Sequence, residues 1–136
     1  MLIDAGPLVS LCDRGLPTHA QCRAILASAT LPLVTTWACF VEAMHLVGRI
    51  GGYPLQQHLW NLIHRDIVDF YEENRDERKK MDALMGRYQN VPMDLADASL
   101  VCAADALKNR TVFTLDGDFR IYRLEDGNNF EIRPSP

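Results

Sequence analysis

Four carboxylates, Asp4, Glu42, Asp97 and Asp116, hold positions from which side chains could share one site. Asp4 closes the apolar run Met1-Leu2-Ile3, and Asp116 follows the run Thr111–Leu115. Both runs read as strands. In open parallel sheets, ligands bind beyond the carboxyl ends of the strands, where the strand order reverses. Each acid also has a plainer reading: Asp4 as a turn residue bonding the backbone of Gly6, Asp116 as the first residue of an Asp-Gly turn. Glu42 stands in a helix that is apolar nearly all round, and the expectation is that it is not a solvated surface acid. A pairing with His45, one turn on, is the alternative. Asp97 opens the helical stretch Pro92–Ala104, whose body is small or apolar. Its charge should enter a core, which is costly unless the carboxylate is paired, hydrogen-bonded or bound to a cation. Asp94 reads as the N-cap of that helix, a structural role.

Carboxylates that share a site repel one another, and some of their pKa values rise. A hard divalent cation removes the repulsion. Oxygen-only ligands select Mg²⁺ or Mn²⁺ over zinc or copper. Such an ion can lower the pKa of a bound water and steady charge on a phosphodiester under in-line attack. The chemistry implied is metal-assisted phosphodiester hydrolysis. Other chemistries find less support. The four histidines and four cysteines form neither an H-x-x-x-H nor a C-x-x-C motif. Buried free thiols are the expectation for Cys12, Cys22, Cys39 and Cys102. No G-x-x-x-x-G-K-[ST] phosphate loop is present.

The elements that must position these acids alternate. Leu2-Ile3 reads as a strand, Ala5-Gly6-Pro7 as a turn and Leu8–Leu11 as a short helix. Thr18–Ala29 reads as a helix with Pro17 at its start. Leu31–Thr35 is a strand. Thr36 can cap a helix over Trp37–Val47 that stops at Gly48, followed by a loop over Ile50–Tyr53. Gly51-Gly52 is the expected flexible point. Pro54 opens a helix to about His64, Ile67–Tyr71 alternates as a strand, and Asn74–Gln89 is a highly charged helix. The helix after Asp94, the strand Thr111–Leu115 and an edge strand Phe130–Ile132 complete the order, and Pro134-Ser135-Pro136 ends the fold. Strands alternating with helices indicate an α/β class with a mostly parallel sheet covered on both faces.

With 136 residues, 48% of them hydrophobic, the chain suits one domain over 1–136 with its own core. A net charge of −4 excludes a basic nucleic-acid coat, although a local basic face would suffice for binding. No run approaches the ~20 apolar residues of a membrane span. The N-terminus enters Leu2-Ile3-Asp4 without a signal-type segment, so a cytoplasmic location is expected.

Four short motifs occur in order: Leu2-Ile3-Asp4 with Pro7-Leu8-Val9; Phe40-Val41-Glu42 after Thr35; Leu95-Ala96-Asp97-Ala98; and Phe113-Thr114-Leu115-Asp116 with Asp118-Phe119. Over essentially the whole chain this arrangement resembles the PIN-domain family, and within it the VapC-type toxin ribonucleases of bacterial toxin–antitoxin pairs. The resemblance implies a three-layer α/β/α fold. It implies an acidic quartet of Asp4, Glu42, Asp97 and Asp116 that is catalytic and metal-binding, with Asp97 matching better than Asp94 and Asp116 better than Asp118. Thr114 resembles the hydroxyl that helps place an acid or a water. Mg²⁺ or Mn²⁺, an RNA substrate, frequent homodimers and a small antitoxin that inserts a basic side chain among the acids are implied in the same way. Arg14, Arg49, Arg75, Arg78, Lys79 and Lys80 are candidate RNA contacts; for the last four, a solvated helix face with i,i+4 pairs is preferred. Two alternatives are a PIN-like RNA- or protein-binding module without catalysis, and a Mg²⁺-dependent phosphohydrolase.

Overall fold

A computed structural model describes residues 1–135. The five strands are β1 (Leu2–Ile3), β2 (Leu33–Thr36), β3 (Val68–Tyr71), β4 (Thr111–Phe113) and β5 (Glu131–Arg133). The helices are α1 (Ala5–Cys12), α2 (His19–Ser28), α3 (Trp37–Gly51), α4 (Tyr53–His64), α5 (Arg75–Arg87) and α6 (Leu95–Leu107). The strand order is β3-β2-β1-β4-β5, and every pairing is parallel. The chain winds outward from β1 to β3, then returns to place β4 on the other side of β1. The order therefore reverses between β1 and β4.

Alternation along the strands builds two apolar layers. Successive side chains of a strand point to opposite faces. Leu2 and Val112 pack with α6 and with Met81 of α5. Ile3 and Phe113 pack with Leu8, Phe40, Val47 and Leu59 from α1, α3 and α4. All four cysteines are buried and free, as their apolar settings suggest. Among the described residues, no helix is long and apolar enough to cross a membrane.

Several boundaries differ from the sequence reading. Ala5-Gly6-Pro7 is the first turn of α1, not a separate turn, because Asp4 caps that helix directly. Pro17 lies before α2, whose N-cap Thr18 makes no side-chain cap bond. Its hydroxyl bonds Ser10 instead, at 2.6 Å. Helix α3 runs past Gly48 to Gly51. Gly48 lies inside the helix and faces α4, where a Cβ would come within 2.6 Å of the Gln56 amide nitrogen, the mobile end of that side chain. The turn between α3 and α4 falls at Gly52, with φ +65 and ψ −156, a conformation open essentially to glycine alone. The strand expected to reach Leu115 ends at Phe113. Leu95 and Leu107, at the two ends of α6, are exposed, although the body of that helix is buried. Pro136, expected to end the fold, lies outside the described residues.

Candidate active site

Asp4 sits at the point where the strand order reverses. Its backbone N–H still bonds Phe113 O of β4, at 2.9 Å. Its side chain then caps α1, with Oδ1 accepting from Ala5 N at 2.7 Å. Oδ2 accepts from the Thr114 hydroxyl at 2.8 Å. That same hydroxyl oxygen accepts from Asp116 N at 3.0 Å. One buried threonine thus joins the ends of β1 and β4 and fixes where Asp116 leaves the sheet. Asp116 Oδ1 in turn accepts from Asp118 N at 2.9 Å, capping a short 3-10 turn over Gly117–Arg120. The turn role first read for Asp116 is real, whereas Asp4 caps α1 through Ala5 N and not through the backbone of Gly6. These bonds leave carboxylate lone pairs unused.

Asp97 reaches the same end of the sheet from α6. Asp94 caps that helix by accepting from Asp97 N at 2.8 Å. Asp97 Oδ2 accepts from the Tyr122 hydroxyl at 2.9 Å. Tyr122 is fully buried and packs edge-on against Tyr88 and Phe119. A second polar contact ties α6 to α3. The Thr36 and Ser99 hydroxyls are 2.7 Å apart, and Thr36 Oγ1 also accepts from Cys39 N at the start of α3. Glu42 is carried on the second turn of that helix.

Burial and then neighbouring acids raise the pKa values of Asp4, Asp97 and Glu42. Burial pushes the Asp4 carboxyl up; the Thr114 and Ala5 bonds oppose this, and Asp116 and Asp94 add repulsion. Asp97 is pushed up to about 7, again by burial first, with Asp94, Asp4 and Asp116 adding to it against the Tyr122 bond. Glu42 is raised by partial desolvation and then by Asp94, Asp4 and Asp116. The Cys39 thiol, 3.7 Å from Asp4 Oδ1, is held well above its usual range by burial, so it does not ionise there. Among the described residues, the ion pairs are Arg78–Glu73, Lys80–Glu125 and Arg110–Glu131. None touches this cluster.

The structure gathers Asp4, Glu42, Asp97 and Asp116 close enough to repel one another, and adds a fifth acid. Asp94 caps α6 and also raises Asp4, Glu42 and Asp97. The Asp-x-x-Asp spacing could have revealed it, since three residues along a helix start share one side. Glu42 is a correction of another kind. It is exposed, because α3 turns Val41 (62% exposed) and Trp37 to solvent along with it. Among the described residues, Glu42 makes neither a hydrogen bond nor an ion pair with His45. Asp97 is buried, 6% exposed, as its apolar neighbours required.

The basic candidates are dispersed. Arg14 follows the far end of α1, whose eight residues span about 12 Å, and Arg49 lies in the last turn of α3. On α5, Arg78 pairs with Glu73 and Lys80 with Glu125. Among the described residues, no three His, Cys, Asp or Glu side chains converge tightly enough to enclose an ion on their own. An ion held here would keep most of its waters, as Mg²⁺ does with one or two carboxylates.

No family model matches the sequence. A curated relative, ribonuclease VapC26 of Mycobacterium tuberculosis, is 25% identical over 135 residues, covering 98% of this chain and all of its own. Among solved structures, M. tuberculosis VapC20, described as a sarcin–ricin loop cleaving toxin, superposes with a TM-score of 0.83 at 17% identity over 98% of both chains. The chain has the VapC-type PIN fold. A toxin–antitoxin complex from Klebsiella pneumoniae also matches, with a TM-score of 0.64 at 18% identity over 87% of this chain and 88% of that one. In this VapC-type fold, the buried tyrosine behind Asp97 had no signal in the sequence. Tyr122 lies 25 positions from its partner, with β4 and the 3-10 turn between them.

Proposed function

We propose that this chain is an endoribonuclease that hydrolyses RNA phosphodiester bonds with Mg²⁺ or Mn²⁺, as the toxin half of a toxin–antitoxin pair. The observation that carries the proposal is a cluster of acids at the reversal point of a parallel sheet, without a basic partner among the described residues. Such a cluster favours binding a cation. The likeness to a curated ribonuclease over nearly the whole chain supports RNA as substrate.

Asp4, Glu42, Asp97 and Asp116 would hold the ion, with Asp94 beside them. A bound Mg²⁺ or Mn²⁺ would supply a nucleophile at neutral pH and offset charge on the phosphodiester. The protein's own work is placement. Thr114 keeps Asp4 from swinging away, and Asp116 departs from the same hydroxyl. Tyr122 fixes one oxygen of Asp97, leaving Oδ1 directed to other partners. Without a cation the five carboxylates repel an RNA phosphate, so the site discriminates against its substrate until an ion arrives.

An antitoxin would close the site by placing a positive side chain among these acids. Helix α3 offers it a foothold next to Glu42: a groove of about 350 Å³ lined by Trp37, Phe40, Val41, Met44 and Trp60.

The test is cleavage of RNA by purified protein with Mn²⁺, with EDTA, and with Asp4→Asn. Cleavage only by the wild type with metal supports the reading; equal cleavage by Asp4→Asn removes it. Tyr122→Phe keeps the packed ring and deletes the donor. Partners one shell out from a metal typically contribute about 10–100-fold in affinity. Calorimetric Mn²⁺ titration should register a loss of that order, and an unaltered affinity would mean that the Tyr122 bond does not serve the ion.

A further inference from the structure

The far edge of the sheet holds the opposite electrostatic situation. A cavity of about 420 Å³ opens there between the end of α1, α2, and the end of α4. Arg14, Arg23, Arg65, His19, His58 and Asn61 line it together with apolar side chains, and no acid does. The acids next to it in sequence, Asp13 and Asp66, are not in the lining. Asp13 Oδ1 accepts from Gly15 N at 2.9 Å.

Several cations elsewhere on the chain are engaged. Arg110 pairs with Glu131, Arg78 with Glu73 and Lys80 with Glu125. The Arg123 guanidinium donates to the carbonyls of Arg120, Ile121 and Tyr122. Among the described residues, Arg14, Arg23 and Arg65 join no ion pair. Three guanidinium groups facing one cavity without a counter-charge repel one another, and an anion relieves this. The wall is partly organised in advance. His19 Nδ1 lies 2.7 Å from Ser10 O, and since a carbonyl only accepts, Nδ1 carries the proton and the ring is held in place. The volume falls within the roughly 300–1,000 Å³ usual for small-ligand sites.

We propose that this cavity is a second RNA contact that binds backbone phosphate at a distance from the acids. The proposal rests on the nuclease reading for its choice of anion. The acidic end repels a polyanion, and the chain as a whole carries −4. RNA therefore needs an anchor elsewhere on the surface, and this is a cluster of arginines without acids among them. The planar guanidinium fork matches phosphate oxygens in pairs. The length of α1 separates this anchor from Asp4, so an RNA that touches both must be longer than a dinucleotide.

The experiment measures fluorescence anisotropy of a labelled RNA stem-loop over a KCl series. It uses an Asp97→Asn protein, which keeps the RNA intact, with and without Arg23→Gln plus Arg65→Gln. Expected are at least tenfold weaker binding and a salt slope smaller by about one per arginine removed. The Arg23→Lys plus Arg65→Lys pair should recover part of the affinity, which a folding defect would not allow. RNA binding that ignores both pairs overturns the proposal. So does a hexaglutamate peptide that binds in an Arg23- and Arg65-dependent manner while RNA does not, since the cavity would then serve an acidic peptide. Absent cleavage with arginine-dependent RNA binding sinks the nuclease reading and keeps this site. Metal-dependent cleavage with arginine-independent binding does the reverse.

Discussion

Replacing Asp97 by asparagine is expected to lower RNA cleavage by about 10²-fold or more while raising the melting temperature of the metal-free protein. The two effects share one cause. The carboxylate has one oxygen bonded to Tyr122 and the rest of its charge among Asp94, Asp4 and Asp116. An asparagine can turn its carbonyl oxygen to the same hydroxyl. Its amide nitrogen then faces the acids as a donor, so repulsion becomes attraction. Stability gains, but a negative ligand for the cation is gone. Several kcal/mol of transition-state stabilisation can depend on a bound ion, and about 1.4 kcal/mol is tenfold in rate. A cleavage assay and a thermal melt on one preparation check both. Undiminished cleavage would remove Asp97 from the site; a lower melting temperature would contradict the repulsion argument.

The second expectation is a pH dependence of unusual sign. Folded-state values for Asp97, Asp4 and Glu42 lie above their ordinary ones, with Asp97 at about 7. Groups raised on folding contribute stability fully below the unfolded carboxylate range, near 4, and lose it as pH climbs through the folded value. The metal-free protein should therefore melt higher near pH 5 than near pH 7.5. Asp126 and Glu131 are shifted the other way but are fully exposed and solvent-screened. Adding Mn²⁺ at about a hundred times its dissociation constant contributes about 2.7 kcal/mol, on the order of 10 °C for a chain of this size. The gain should appear at pH 7.5 and shrink at pH 5, where protons compete. Differential scanning fluorimetry over a pH and Mn²⁺ grid measures it. A melting temperature that is higher at pH 7.5 without metal, and indifferent to Mn²⁺, would contradict the account.

The order of elements was legible because apolar periodicity differs sharply between Leu2-Ile3, Val68–Tyr71 and the α6 run. Parallel pairing followed from the alternation of strands and helices. Helix ends were less legible. Gly48 has the residue type of a stop, yet it lies inside α3 facing Gln56 of α4, and only the folded structure reveals that. The positions of Asp4 and Asp97 could be anticipated from chain direction and burial. The exposure of Glu42 could not, because the apolar residues around it on α3 are themselves partly in solvent. A reading that allowed each acid a single role also missed Asp94, which is a helix cap and a neighbour of the cluster at once. Tyr122 and the Arg14 cavity depend on packing between distant segments, which periodicity does not encode.

The threonine that bridges β1 and β4 has a consequence for the cell that makes this protein. Thr114 stands 110 positions after the aspartate it steadies. A ribosome adding about 5–20 residues per second releases the first strand many seconds before the fourth can pair with it. Through most of its own translation the nascent polypeptide lacks this bond, and Asp4 stands without the hydroxyl that positions it. The frame that holds Asp4 against β4 is therefore complete only once residue 114 has left the ribosome and paired.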